Sequence, residues 1–153
     1  MDRPYVVGID IGGQSAKIGI VDTRGTVLSQ TAIKSNDTNS HVEFIENLCS
    51  AVEKLAEKAN IPMSKIRGIG IGAPNANYYT GTIENAVNLT FGGMKVIPFA
   101  DLMSERIGLP VRLTNDANAA AVGEMTYGAA RGMKNFITIT LGTGVGSGIV
   151  VGG

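Results

Sequence analysis

Three segments of the sequence bring carboxylates, hydroxyls and glycines together at spacings that could do chemistry. In "VVGIDIGGQSAKIGIVD", residues 6–22, Asp10 is followed by Gly12, Gly13 and Gln14 between two apolar runs. Paired glycines at a strand reversal can turn bare backbone N–H groups toward phosphate oxygens. A carboxylate at the lip of such a turn would repel a polyphosphate unless it received a hydrated Mg²⁺. Taken alone, the same pattern also describes a glycine hairpin with a turn aspartate.

The second segment, "LGTGVGSG" at 141–148, alternates four glycines with other residues, and Thr143 adds a hydroxyl donor. Gly142, Thr143, Gly144 and Gly146 are candidates for a phosphate cradle; a β-bulge or close packing on a neighbouring strand would need the same glycines. No Gly-Lys-Ser/Thr follows, so this is not a Walker A loop. In the third, "TNDANAA", Asp116 ends a strand and begins a helix. It can be a helix N-cap, a general base for a hydroxyl, or both, with Asn115 beside it bonding the same polar substrate. Two phosphate turns and a strand-end aspartate together describe phosphoryl transfer from a nucleotide to an alcohol.

The elements that must position these residues are legible in the hydrophobic pattern. Val6–Asp10, Ala16–Val21 and Val27–Ile33 predict an antiparallel meander with turns at "GGQ" and "TRG". Phe44, Leu48, Ala51, Leu55 and Ala59 recur at helical spacing, and Ser40 with Glu43 forms a capping-box pattern. "IRGIGIGAP" predicts a buried strand running parallel to the first after a helical crossover. Residues 75–97 read as loop. Pro98 opens a helix to about Ile107, stopped by Gly108 and Pro110, and "VRLTND" is a strand leading into the alanine-rich helix of Asp116. "FITITLGTGVGSGIVVGG" closes the chain as strand, glycine turn and strand. A buried-type hairpin with no following partner predicts a fragment of a longer protein.

Composition narrows the function. The 153 residues suit one domain with a real core, and 13 basic residues balance 13 acidic ones, so no footprint for nucleic acid or an anionic membrane is expected. No run approaches a membrane span, and residues 1–8 lack a signal-peptide pattern, which predicts a cytoplasmic location. Cys49 and His41 are single, so neither a disulfide nor a cysteine-based metal site is available; Cys49 is expected in a helix core and His41 at the surface. The 21 glycines cluster at 8–25, 68–72, 92–93 and 142–153, marking specific turns and close approaches.

In order, "GIDIGGQSAKIGIVD", "GIGIGAP", "NAVNL", "LTNDANAAAVGE" and "ITLGTGVGSGIVVGG" resemble the successive motifs of the ROK family of bacterial sugar kinases, within the actin, hexokinase and Hsp70 ATPase superfamily. The resemblance spans essentially the whole chain. It implies an α/β, RNase H-like (actin-like ATPase) fold, with a mixed sheet built from the meander and parallel strands and flanked by helices. Residues 1–132 would form the N-terminal lobe and 133–153 the first hairpin of a second, nucleotide-binding lobe. On matching positions, Asp10, Gly12, Gly13, Gln14 and Lys17 fall in the first phosphate motif, with Asp10 reaching Mg²⁺ through water. Gly142, Thr143, Gly144 and Gly146 fall in the second. Asn88, Asn115, Gly72 and Asn75 fall at the sugar, and Asp116 at the catalytic base. The resemblance also implies a hexose substrate, ATP and Mg²⁺, a homodimer in the full-length protein, and structural zinc there, for which this sequence holds no ligands.

Two positions depart from the family pattern: Gln14 replaces a threonine, and Asn75 replaces a glycine after "GAP". Glucose, phosphorylated on its 6-hydroxyl, is the expected substrate, with N-acetylhexosamines and other sugars as alternatives. A sugar-responsive repressor of the same family would carry an N-terminal helix-turn-helix, whereas here the glycine hairpin begins by residue 6. A cytoskeletal or chaperone-type ATPase would need no sugar pocket, to which Asn88 and "NDAN" point. The 153-residue piece by itself is expected to be inactive, binding sugar weakly.

Overall fold

The computed structural model describes residues 2–142 and 144–153. Strands β1 (Tyr5–Ile11), β2 (Ser15–Val21) and β3 (Val27–Lys34) form the expected meander. Helix α1 (His41–Lys58) then crosses back to β4 (Ile66–Ala73), which lies parallel to β1. Helix α2 (Phe99–Ile107) leads to β8 (Val111–Asn115), parallel to β4. The resulting five-stranded sheet has the order β3-β2-β1-β4-β8. Between β4 and α2, the segment read as loop contains a small sheet of β5 (Ala76–Asn77), β6 (Thr82–Glu84) and β7 (Val96–Ile97), strands too short to carry a readable alternation.

The two faces of the main sheet differ in chemistry because successive strand residues point to opposite sides. Val7, Ile9 and Ile11, Ile18 and Ile20, Ile69 and Ile71, and Val111 and Leu113 are buried on one face in a single core with α1 and α2. Phe44 of α1 and Phe91 stack with ring centroids 4.5 Å apart, and Phe99 of α2 stands 6.3 Å from both. This aromatic cluster anchors the loop that carries Asn88: Leu89 and Phe91 are buried while Asn88 itself is exposed. The other face carries Gly8, Asp10, Lys17, Gly70, Gly72, Arg112 and Thr114.

Local signals mostly act as read, with two changes. Ser40 caps α1 by accepting the Glu43 N–H, but the Glu43 carboxylate accepts from the Thr38 hydroxyl at 2.6 Å, and Thr38 in turn accepts the Ser40 N–H. The reciprocal half of the expected capping box is thus relayed through Thr38. Gly108 ends α2 in the left-handed region at φ 71°, as its position predicts. Cys49 is fully buried in α1, but His41, expected at the surface, is half-buried at the first position of that helix.

Helix α3 (Asp116–Tyr127) lies on the glycine-rich face of the sheet, and the hairpin of β9 (Phe136–Leu141) and β10 (Val145–Val150) forms a separate two-stranded sheet packed on it. A Cβ on Gly148 would stand 2.5 Å from the Ala121 Cβ and 2.6 Å from the Ala117 carbonyl oxygen. Glycine in β10 therefore lets the hairpin backbone seat directly on the helix. No helix among the described residues is long and apolar enough to cross a membrane.

Candidate functional site

The sheet register sets the site. Asp10 pairs with Lys17 across the antiparallel ladder and with Gly72 across the parallel one, and Gly72 pairs with Thr114. Lys17, Asp10, Gly72 and Thr114 thus form one row over four strands, all on the open face. At a strand spacing of roughly 4.8 Å, Asp10 and Thr114 stand about 10 Å apart across Gly72. Asp116 follows Thr114 by two residues, where β8 passes directly into α3.

Asn115 and Asp116 divide the work at that junction. The Asn115 side-chain oxygen, Oδ1, caps α3, accepting the Ala117 N–H at 3.0 Å and the Asn118 N–H at 3.4 Å. The N-cap role read for Asp116 therefore belongs to Asn115. The Asn115 amide nitrogen has no protein acceptor among the described residues and is free for a ligand. Asp116 is exposed, and its Oδ1 accepts only the Ala117 N–H, at 2.9 Å. Gly72 sits beneath this turn: a Cβ there would stand 3.2 Å from the Ala119 Cβ and 3.5 Å from the Asp116 Cα. Gly72, read as a sugar contact, is placed by packing as the seat of the Asp116 helix.

The first glycine turn lies beyond the end of β1. Neither Gly12 nor Gly13 adopts the left-handed backbone that favours glycine; what they supply is space. A Cβ on Gly13 would stand 3.0 Å from the backbone carbonyl oxygen of Asn88, so the turn and the Asn88 loop touch backbone to backbone. The Gly12 N–H bonds the Ser15 carbonyl at 2.9 Å. The Gly13 and Gln14 N–H groups have no protein acceptor among the described residues, and the Gln14 side chain is exposed. Ser35 holds the turn from behind, its hydroxyl donating to the Gly12 carbonyl at 2.5 Å and its N–H to the Gln14 carbonyl at 3.0 Å.

The second glycine turn separates into two kinds of position. Gly142 and Gly144 meet nothing within 4 Å of an added Cβ, and the Gly142 N–H bonds the Gly144 carbonyl at 2.9 Å. At Gly146, read as a phosphate contact, a Cβ would fall 2.6 Å from the Thr140 hydroxyl and 3.1 Å from the Ala117 Cβ. Gly146 is thus a packing position that brings the hairpin against the first turn of α3. Thr143, the hydroxyl of this turn, lies outside the described residues.

Asn75 also changes character. It adopts φ 53°, a left-handed backbone that asparagine tolerates and glycine favours, which accounts for the exchange at this position. Both hydrogens of its amide have backbone acceptors, the Glu84 carbonyl at 3.0 Å and the Asn85 carbonyl at 3.1 Å. Only its side-chain oxygen is left for the substrate contact read from sequence.

Between the open sheet face and α3 lies a cavity of about 1120 Å³, lined among others by Asp10, Lys17, Gly72, Tyr78, Arg112, Thr114 and Asn118. Gly12, Gly13, Asn88, Asn115 and Asp116 do not line it. Sequence reasoning passed over Arg112 and Thr114, although both alternate with buried Val111 and Leu113 in "VRLTN" and so had to face this side. It also passed over Ser35, whose burial depends on contacts between distant segments. No group of three or more His, Cys, Asp or Glu side chains that could hold a metal occurs among the described residues.

The sequence pattern of the ROK family matches residues 6–153. Over 99% of its length the chain is 40% identical to a glucokinase of Halalkalibacterium halodurans, and over 96% it is 28% identical to a putative xylose repressor of a Caldicellulosiruptor species. It superposes with a TM-score of 0.83 and 35% identity, over 97% of its length, on the crystal structure of a ROK family glucokinase from Streptomyces griseus in complex with glucose and AMPPNP. The mixed α/β sheet is that of the actin-like ATPase N-terminal lobe of such enzymes. The chain spans 45% of each of these glucokinases and 36% of the repressor.

Proposed function

The chain belongs to the ROK family, and from that premise we propose that the whole protein is an ATP-dependent hexose kinase of the glucokinase type, phosphorylating the 6-hydroxyl of glucose. One observation carries the reading to these residues. The row Lys17–Asp10–Gly72–Thr114 leads on one side to a turn with two free N–H groups and on the other to Asp116 at the head of α3. A phosphoryl donor and an acceptor hydroxyl held at the two sides would meet over Gly72, where no side chain intervenes.

The chemistry each residue contributes follows from its exposure and partners. The Gly13 and Gln14 N–H groups and the Lys17 ammonium offer donors to phosphate oxygens. Asn88 and the free amide of Asn115 offer hydrogen bonds to sugar hydroxyls. Asp116 accepts the proton of the attacking hydroxyl and orients it in line with the γ-phosphoryl. Because transfer proceeds through a loose transition state, positioning supplies most of the rate and an ordinary carboxylate serves. Asp10 fits an Mg²⁺ site of the usual kind, in which one carboxylate meets an ion that keeps several waters and binds the substrate phosphates. Bound there, Mg²⁺ would neutralise charge on the transferred phosphoryl. Residues 1–132 form the sugar-side lobe in this reading, and 133–153 begin the nucleotide lobe, with Gly142, Thr143 and Gly144 at its phosphate turn.

A second reading, a sugar-responsive regulator, is favoured by the resemblance to the putative xylose repressor. The identity to the glucokinase is higher, 40% against 28%. A coupled assay on the whole protein, comparing ADP release with and without glucose across a panel of hexoses, tests the choice. Glucose-dependent release well above the basal rate is expected. Sugar binding without any sugar-dependent release would refute the kinase reading and favour the regulator.

A further inference from the structure

Ser35 is the one buried polar side chain among the described residues, at 0% exposure, and nothing in the first phosphate motif points to it in the sequence. A buried hydroxyl must be used, and this one donates to the Gly12 carbonyl at 2.5 Å. The backbone N–H of the same residue donates to the Gln14 carbonyl at 3.0 Å. One residue therefore holds the carbonyls on both sides of Gly13. A trans peptide is planar, with C=O and N–H on opposite edges, so holding the Gly12 carbonyl toward Ser35 turns the Gly13 N–H away from it. The Gly13 N–H is one of the two in the turn left without a protein acceptor.

The same strap reaches the neighbouring loop. The Thr90 hydroxyl lies 2.7 Å from the Thr38 carbonyl and 3.3 Å from the Ser35 carbonyl, joining the segment after β3 to the loop of Asn88. That loop in turn presses the Asn88 carbonyl against Gly13. Resting on the phosphate-binding reading of this turn, we propose that Ser35 is a positioning residue: it pre-sets the Gly13 N–H to face a phosphate oxygen and fixes the turn against the Asn88 loop. Binding then costs no rearrangement of the turn, the general advantage of a preorganised site.

The test uses the ¹⁵N-labelled whole protein titrated with magnesium tripolyphosphate, following the Gly13 and Gln14 amide resonances. In the wild type both are expected to move. Ser35→Ala should need about tenfold more ligand for the same shift, and Ser35→Thr, which keeps the hydroxyl, should stay within about twofold of wild type. Equal titration by folded Ser35→Ala and wild type would overturn the positioning role while leaving the phosphate reading intact. A wild-type Gly13 amide that does not respond would overturn the phosphate reading, and this inference with it. If Ser35→Ala loses its dispersed spectrum, Thr90→Val keeps the question open to refutation. That variant retains the buried hydroxyl, slackens the strap from the other side and should weaken the titration about threefold; an unchanged Gly13 response would count against the proposal.

Discussion

Gly72 and Asp116 meet at the junction of β4 and α3, with only 3.5 Å between the Asp116 Cα and the place a Gly72 side chain would begin. The same position is 3.2 Å from the Ala119 Cβ, so the first turn of α3 rests on a strand with no side chain beneath it. Gly72 is also the register neighbour of Asp10. A single residue therefore sets the spacing between the two carboxylates to which opposite ends of the reaction are assigned.

Gly72→Val is expected to lift the head of α3 and cost about 1–3 kcal/mol of stability, as overpacking of a filled site does. In the whole protein it should lower kcat more than it raises the KM for ATP, because the donors proposed for phosphate lie on the other side of the row. Urea denaturation and steady-state kinetics measure the two effects. A variant with wild-type kcat would show that the seat of α3 does not set the geometry of transfer.

Asp116→Asn keeps the size of the side chain and removes the proton acceptor. Loss of a general base typically costs between about 10² and 10⁴ in rate, and a fall of at least about 100-fold in kcat is expected, with the KM values for sugar and ATP within a few-fold. The helix should be unaffected, since the cap of α3 is Asn115. Stability changed by less than about 0.5 kcal/mol in a denaturation series would verify that separation.

The main elements were legible because their signals are local. Alternation set the meander, the i, i+4 recurrence from Phe44 to Leu55 set α1, and Gly108 with Pro110 set the end of α2. The ordered motifs are what led the Asp10 turn and Asp116 to be proposed as parts of one site. Roles inside the site were less legible where they depend on contacts between distant segments. Gly72 and Gly146 were read as ligand contacts, and the structure adds a packing role to both: Gly146 meets the neighbouring strand, the alternative the glycine series also offered, and both meet α3, a contact that no spacing in the sequence records. Ser35 opens the run "SNDTNS", residues 35–40, in which every side chain is polar, and only the return of β3 beside the Gly12 turn makes it a buried donor. Asn75 looked like a departure from the family pattern until its φ of 53° showed it filling a position that glycine also fits.

Gln14 is the remaining departure, and its two halves behave differently. Its backbone carbonyl is held by Ser35, while its side chain is exposed and takes no part in holding the turn. Gln14→Thr is expected to leave stability within about 0.5 kcal/mol, as surface substitutions usually do, and to change the KM for ATP less than about threefold. A larger change in KM at unchanged stability would mean that the Gln14 amide contacts phosphate directly.

Cys49 gives the fold a pH dependence at its alkaline limb. Burial pushes its thiol up to about 11, from about 9.0 in the unfolded chain. The folded state then holds this proton more tightly than the unfolded one, so the contribution to stability is complete below about pH 9 and is lost as pH rises toward 11. A shift of this size corresponds to a loss on the order of 2 kcal/mol across the window. Urea denaturation at pH 8, 9.5 and 10.5 should show a steeper decline for the wild type than for Cys49→Ala, which cancels the other groups that titrate in this range. Parallel declines would show that the thiol titrates alike in both states.

Gly148 and Gly144 belong to the same glycine series yet face opposite demands. A Cβ on Gly148 would fall 2.5 Å from the Ala121 Cβ and 2.6 Å from the Ala117 carbonyl, both parts of a regular helix that cannot yield locally. Gly148→Ala should therefore push the β9–β10 hairpin off α3 and cost about 1–3 kcal/mol, lowering Tm by several degrees for a chain of this size. At Gly144 nothing stands within 4 Å of an added Cβ, and Gly144→Ala should change Tm by about 1 °C or less. In the whole protein the order should reverse for phosphate, because a methyl group at the open turn obstructs the approach of a ligand to the backbone. Thermal melts of both variants, set beside their KM for ATP, make the comparison. Equal loss of stability in both would mean that the hairpin is held by its ladder alone and that its seat on α3 contributes nothing.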